Sequence, residues 1–272
     1  MKILFTKMHG LGNDYIFIDR TKNKYQLLQE EKISKVVRYL SKEHFGIGSD
    51  GVIFIENSLI ADFKMRIFNK DGTEAEMCGN GIRCFAKYIY DNKMTLKNKI
   101  TVETLCGIKE VDFIENSKGI VEEYRVNMGV GKFQEVVKIN IFNQIFYINK
   151  VDMGNPHAII FVRDVSKINI EKYGPLIENN KIFPNKTNVE FVQVLDRNLI
   201  KVRVWERGSY ETYACGTGAS ASVVAGKYQK LCDKSVKVLL KGGELYINID
   251  KNTNNVYMQG IATKVFDGII EI

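Results

Sequence analysis

Cys78-Gly79-Asn80-Gly81 and Cys215-Gly216-Thr217-Gly218 lie 137 residues apart, and each sets a thiol directly before a glycine-broken turn able to open a helix. Glycines in such a turn let backbone N–H groups converge on an anion, and the positive end of the helix behind it favours a thiolate. A thiol ordinarily titrates near about 8.5, so one member of the pair can be held as thiolate near neutral pH while the other keeps its proton. Two such groups can take a proton from one face of a carbon and return one to the other face. The proton would be a weakly acidic one beside a carboxylate. The backbone amides of Gly79, Asn80, Gly216 and Thr217 are placed to receive the negative charge that develops.

The duplication runs beyond the thiols. Glu74 and Glu211 each lie four residues before their cysteine, and Phe68-Asn69 and Trp205-Glu206 each lie ten and nine before it. Gly51-Val52 and Asn188-Val189 both stand 27 and 26 residues ahead, each opening an apolar run. Gly12-Asn13 and Gly154-Asn155 are close to matching, with their asparagines 65 and 60 residues ahead. A concerted set of this kind implies an internal repeat of roughly half the chain.

The elements that must carry these residues are mostly short strands. Phe63 to Ile67 and Val202 to Trp205 alternate apolar and polar residues as half-buried strands do, and each leads into a cysteine motif. Glu31 to Ser41 and the stretch behind Cys78, with Ile82, Phe85, Ala86 and Ile89, have helical periodicity, while Ala219 to Ala225 is small or apolar all round, as in a fully buried helix. The expected fold is α/β of the α+β type. It has two pseudosymmetric domains from an internal duplication, each a curved, mostly antiparallel sheet wrapped around a central helix. The turn-rich stretch Glu115 to Gly119 is the expected boundary. That gives an N-terminal domain over 1–118 completed by a C-terminal strand over 263–272, and a second domain over 119–262. The site is then expected in the cleft between them.

Composition narrows the classes. The net charge is +7, but the lysines are dispersed and no Arg-rich run or nucleic-acid motif appears, so no nucleic-acid partner is expected. No apolar run is long enough to span a membrane and the N-terminus lacks a signal-peptide core, which predicts no membrane partner and a cytoplasmic location suited to reduced thiols. Three scattered histidines and five cysteines without a CxxC pair argue against a metal site. Cys84, Cys106 and Cys232 read as buried small residues. No P-loop, dinucleotide fingerprint or pyridoxal lysine is visible, so the expected cofactor set is none.

The segments from Lys7 to Tyr15, Phe68 to Gly72, Met77 to Cys84, Met153 to His157, Trp205 to Gly208 and Ala214 to Gly218 together resemble the motifs of the diaminopimelate epimerase family, collinearly over essentially the whole chain. The resemblance implies a cofactor-independent epimerase that interconverts L,L- and meso-diaminopimelate for lysine and peptidoglycan synthesis, with a homodimer as a candidate assembly. It makes Cys78 and Cys215 the acid/base pair, with His157 and Glu206 supporting the reacting centre. Asn13, Asn69, Asn155, Asn188, Glu206 and Arg207 become substrate contacts, and Gly79, Asn80, Gly216 and Thr217 the carboxylate cradle. Arg207 suits a bidentate grip on a carboxylate, and Glu206 suits an ammonium group. Some relatives carry glutamine where Gly51 stands, so Gly51 is left out of the site. The alternative is a related two-thiol amino-acid racemase of the proline, hydroxyproline or histidine type. Asn80 after the first Cys-Gly argues against the proline type.

Overall fold

The computed structural model describes residues 2–22 and 29–272. The chain divides into two compact units, Met1–Val126 with Ile261–Ile272, and Asn127–Gly260. In the first, β1 (Lys2–Gly10) and β2 (Asn13–Asp19) lead to helix α1 (Glu30–Ser41), then β3 (Gly51–Glu56), β4 (Phe63–Asn69), the short β5 (Glu74–Ala75), helix α2 (Gly79–Asp91), β6 (Lys99–Thr104) and β7 (Gly107–Glu115), and β8 (Val121–Val130) runs through the division at Val126. In the second, β9 (Lys132–Ile141) precedes β10 (Gln144–Asp152), β11 (Pro156–Phe161), helix α3 (Ile170–Glu178), β12 (Asn188–Asp196), β13 (Leu199–Trp205), helix α4 (Gly216–Tyr228), β14 (Ser235–Leu240), β15 (Gly243–Ile249) and β16 (Asn255–Ile261). The last strand, β17 (Thr263–Glu271), returns to pair antiparallel with β1.

Strand pairing repeats within each unit. Among the described residues, the pairs recorded as parallel are β2–β3 and β4–β6 in the first unit and β11–β12 and β13–β14 in the second. The remaining recorded pairings within them, among them β1–β2, β3–β4, β12–β13 and β14–β15, are antiparallel. β9 pairs antiparallel with β10 as β17 does with β1, the first across a hairpin and the second between the ends of the chain's first unit.

Each sheet is covered on both faces, which is why β3 and β12 read as nearly continuous apolar runs. In the first unit Val52, Phe54 and Phe68 pack with Ile33, Val37 and Leu40 of α1. Their alternates turn to α2, where Ile53 and Ile67 meet Gly81 and Phe17 stacks on Tyr88. In the second, Val189, Phe191 and Trp205 pack with Ile170 and Ile177 of α3, leaving the intervening β12 residue, Glu190, on the α4 side. Each such buried Ile, Leu or Phe contributes about 1.5–3 kcal/mol. The two long buried helices α2 and α4 match the expectation of a central helix per sheet, and α4 is buried on every side from Gly218 to Gly226.

Two elements carried no expectation from the sequence, and one reading differs from the structure. Helix α3 was hidden by Gly174-Pro175 at its centre. It forms because Asn169 caps it by accepting from the Lys172 amide, and because Gly174 lets the helix lie directly on Trp205, where a Cβ would come within 2.5 Å. Strand β9 alternates over Val137 to Ile141, with Val137, Ile139 and Ile141 packed on the core of the second unit, whereas its first half is largely exposed. Cys106 is exposed, held in the β6–β7 turn with its sulfur 3.3 Å from Thr104 Oγ1, whereas Cys84 and Cys232 are buried as expected. The polar stretch after Glu115 is the β7–β8 turn, organised by Asn116 Oδ1, which accepts from the amides of Lys118 and Ile120.

Candidate active site

Cys78 is the N-cap of α2 and Cys215 the N-cap of α4. In both, Sγ accepts from the backbone N–H three residues on, Gly81 or Gly218, at 3.4 Å. The strands feeding these turns carry a second duplicated feature. Arg66 binds Glu74 in a fork, Nε to Oε1 at 2.7 Å and Nη2 to Oε2 at 3.0 Å, and Arg203 binds Glu211 the same way at 2.7 and 3.1 Å. These pairs keep some solvent contact and so add modest stability, and their planar geometry fixes the path of the chain from strand to cysteine.

Around Cys78, Tyr15 Oη lies 2.9 Å from Sγ. Arg83, fully buried, donates from Nη1 to the Gly79 carbonyl at 3.1 Å and from Nη2 to Asn80 Oδ1 at 2.9 Å. The Asn80 side chain is thereby turned into the interior, and what Asn80 can offer an anion is its backbone amide. Gly10 lies against the same group, since a Cβ there would come within 2.9 Å of the Asn80 carbonyl. Asn13 opens β2 opposite Gly10. Asn69 is exposed at the end of β4, its Nδ2 donating to Thr73 Oγ1 at 3.1 Å. At Gly51 a Cβ would approach the Phe68 carbonyl to 2.2 Å, so this backbone has no room for a side chain there.

Around Cys215 the surroundings are more polar and more acidic. Thr217 Oγ1 lies 3.4 Å from Sγ. His157, sealed from solvent, places Nδ1 2.8 Å from Glu190 Oε1 and Nε2 3.0 Å from Asn155 Oδ1. Glu190 presses on the same helix turn, where a Cβ on Gly218 would come within 2.4 Å of Oε1. Asn188 is buried as a clamp, its Nδ2 donating to the Pro156 carbonyl at 3.1 Å and its Oδ1 accepting from the Arg207 amide at 2.9 Å. Arg207 is exposed, with Nη1 3.3 Å from the Asn185 carbonyl. Glu206 accepts from Thr212 Oγ1 at 2.5 Å.

The helix terminus does not decide the ionisation of Cys215. Burial pushes this thiol well above its ordinary value, and the charges of Glu206 and then Glu190 push the same way against the smaller help of Thr217 and the Gly218 amide. Burial also raises Cys84, to about 12, which leaves it an inert thiol.

Thus Cys78, Gly79 and Asn80 stand together in the first unit. In the second, His157 with Asn155, Asn188 with Arg207, and Cys215 with Thr217 and the Glu206 charge stand together. Three neighbours went unassigned from sequence. Tyr15 sat inside a quoted motif without a role. Arg83 stood in the Met77 to Cys84 segment, likewise without a role. Glu190 was one charge in an otherwise apolar run, and that interruption was the available signal.

A family profile described as Diaminopimelate epimerase matches residues 5–133 and 150–265. A diaminopimelate epimerase of Agathobacter rectalis is 49% identical, covering 98% of this chain and 99% of that protein, and one of Bacteroides thetaiotaomicron is 46% identical over 99% and 98%. Among solved structures, a phenazine biosynthesis protein of the PhzF family from Bacillus anthracis superposes with a TM-score of 0.77 at 18% identity, covering all of both chains. A hydroxyproline epimerase from Agrobacterium vitis gives a TM-score of 0.74 at 12% identity, over 99% of this chain and 92% of that one. At these identities the structural likeness speaks to the fold alone. The length and identity of the sequence matches carry the assignment further: the chain belongs to the diaminopimelate epimerase family.

Proposed function

We propose that this chain interconverts L,L- and meso-2,6-diaminopimelate without a cofactor, by acid/base catalysis between Cys78 and Cys215, in the supply of lysine and peptidoglycan precursors. The observation that carries the reading is the matched placement of the two thiols, each the N-cap of a buried helix with the third amide of the turn aimed at sulfur at 3.4 Å. A duplicated cap of this kind serves a reaction whose two half-steps are mirror images.

In the forward direction a Cys78 thiolate removes the α-proton, becoming a thiol and leaving the electron pair on the substrate as an enediolate. The Cys215 thiol gives its proton to the opposite face and becomes the thiolate, so bonds and charge balance and only the two protonation states have exchanged. Burial and the charges of Glu206 and Glu190 favour the protonated form of Cys215 before the reaction, which suits it as the acid. The amides of Gly79, Asn80, Gly216 and Thr217 stabilise the enediolate. Arg207 receives the distal carboxylate and Glu206 an ammonium group, with Asn13, Asn69, Asn155 and Asn188 as further contacts.

The two units are read as the paired epimerase domains of the duplication. The thiol chemistry favours a reducing, cytoplasmic compartment, the partner is a small molecule and not nucleic acid, and a homodimer is the candidate assembly. The test is turnover of purified protein, without added pyridoxal phosphate or metal, on L,L-diaminopimelate beside proline, hydroxyproline and histidine. Diaminopimelate alone should epimerise, and Cys78→Ala and Cys215→Ala should each abolish it while substrate still binds. Conversion of another of these amino acids in its place would overturn the substrate.

A further inference from the structure

Strand register sets the two thiols in corresponding frames with different occupants. Tyr15 on β2 pairs with Gly51 on β3, and His157 on β11 pairs with Asn188 on β12, both in parallel register. Gly51 and Asn188 each stand 27 residues before their cysteine, so Tyr15 and His157 occupy the same position in the repeat. Two residues further along these strands stand Ile53 and Glu190, which face the same helix turn from below, at Gly81 and Gly218. The first unit therefore has a phenol over an apolar floor where the second has an imidazole over a carboxylate.

The phenol touches the sulfur. Tyr15 is 6% exposed, its ring held in the sheet, and its Oη is 2.9 Å from Cys78 Sγ. Among the titratable groups that interact with this thiol besides Tyr15 are Arg83 and Cys84 of α2. Cys84 keeps its proton, and the Arg83 guanidinium sets positive charge beside the Gly79-Asn80 turn that Cys78 caps. Resting on the two-thiol reading above, we propose that Tyr15 is a catalytic residue whose hydroxyl donates to Cys78 Sγ, holds that sulfur as the resting thiolate, and takes in the first unit the place His157 holds in the second.

The phenol breaks no bond in this role. Its O–H donates to the thiolate before reaction. Once Cys78 has taken the α-proton, the new S–H donates to Oη instead. The charge-assisted contact is the stronger of the two, so the hydroxyl favours the thiolate; after product leaves, Cys78 gives its proton to solvent and Cys215 takes one from solvent, which restores the resting pair.

The test is Tyr15→Phe in the full chain, with iodoacetamide alkylation of Cys78 followed by mass spectrometry from about pH 6 to about pH 10, the range around an ordinary thiol. The exposed Cys106 is the internal reference. Loss of a hydrogen bond to a charged acceptor predicts alkylation of Cys78 slowed about tenfold near neutral pH, with its midpoint moved upward and Cys106 unchanged. In turnover, kcat should fall with KM unchanged, and the acidic limb of the profile should move to higher pH. An unmoved Cys78 midpoint in a folded variant overturns the proposal. Should Tyr15→Phe not fold, 3-fluorotyrosine at position 15, a stronger donor of nearly the same size, must move the midpoint downward, and no movement overturns it equally. A Tyr15-dependent midpoint in a protein that exchanges no α-hydrogen would overturn the proposed function and spare the hydroxyl–thiolate contact.

Discussion

Glu190 Oε1 lies 2.8 Å from His157 Nδ1, and neither side chain reaches solvent. Glu190 also bears on Cys215, where its charge opposes ionisation of the thiol. Glu190→Gln keeps an acceptor for Nδ1 and removes the charge. A thiolate then forms more easily, so the ultraviolet thiolate absorbance of Cys215, taken as the difference from Cys215→Ala, should appear at lower pH than in the wild type. Glu206→Gln should act in the same direction and further, since its charge weighs more on Cys215. Glu190→Ala leaves Nδ1 without this acceptor and should lower stability by about 1–3 kcal/mol in denaturant unfolding. An upward shift of the thiolate signal in either amide variant would contradict this electrostatic picture.

The two helix turns should respond differently to the same substitution. At Gly218 a Cβ would meet Glu190 Oε1 at 2.4 Å, within a buried pair that has nowhere to move. At Gly81 it would meet the end of Ile53 at 2.8 Å, a methyl able to change rotamer. Gly218→Ala should therefore cost about 1–3 kcal/mol, and Gly81→Ala less, as read by paired thermal melts. Equal losses would mean that Glu190 is not the rigid wall.

Cys84 gives the structure an alkaline weakness. The unfolded chain releases this proton near 9.0 and the folded chain only at about 12, so between those values the unfolded state binds fewer protons and stability falls as pH rises. Cys84→Ala removes this contribution. Its melting temperature, whatever its value at neutral pH, should fall less steeply across that window than that of the wild type.

The repeat was legible in the sequence because spacing from a cysteine measures strand and turn lengths, which the duplicated pairing preserves. Phe68 and Trp205 hold equal offsets because β4 and β13 enter their turns in the same register. Residues that differ between the halves were not legible in this way. Glu190 corresponds to Ile53, and Tyr15 to His157, so a search for matches passes over the positions that make the two thiols unlike. Asn80 and Asn188 were recognised, but spacing could not show that Arg83 holds the Asn80 side chain inward through Oδ1 or that Asn188 joins Pro156 to Arg207. Helix α3 was obscured because Gly174 and Pro175 weaken a helix in isolation and are tolerated here by contact with Trp205 and by an Asn169 cap.

The division of labour between two sulfurs is tested most directly by proton NMR of L,L-diaminopimelate with the enzyme in deuterated water at early conversion. With Cys78 taking the proton and Cys215 giving one drawn from solvent, deuterium should enter the meso product at the inverted carbon while recovered L,L-substrate keeps its hydrogen. Deuterium appearing in unconverted substrate as fast as in product would assign both steps to one group and contradict the account.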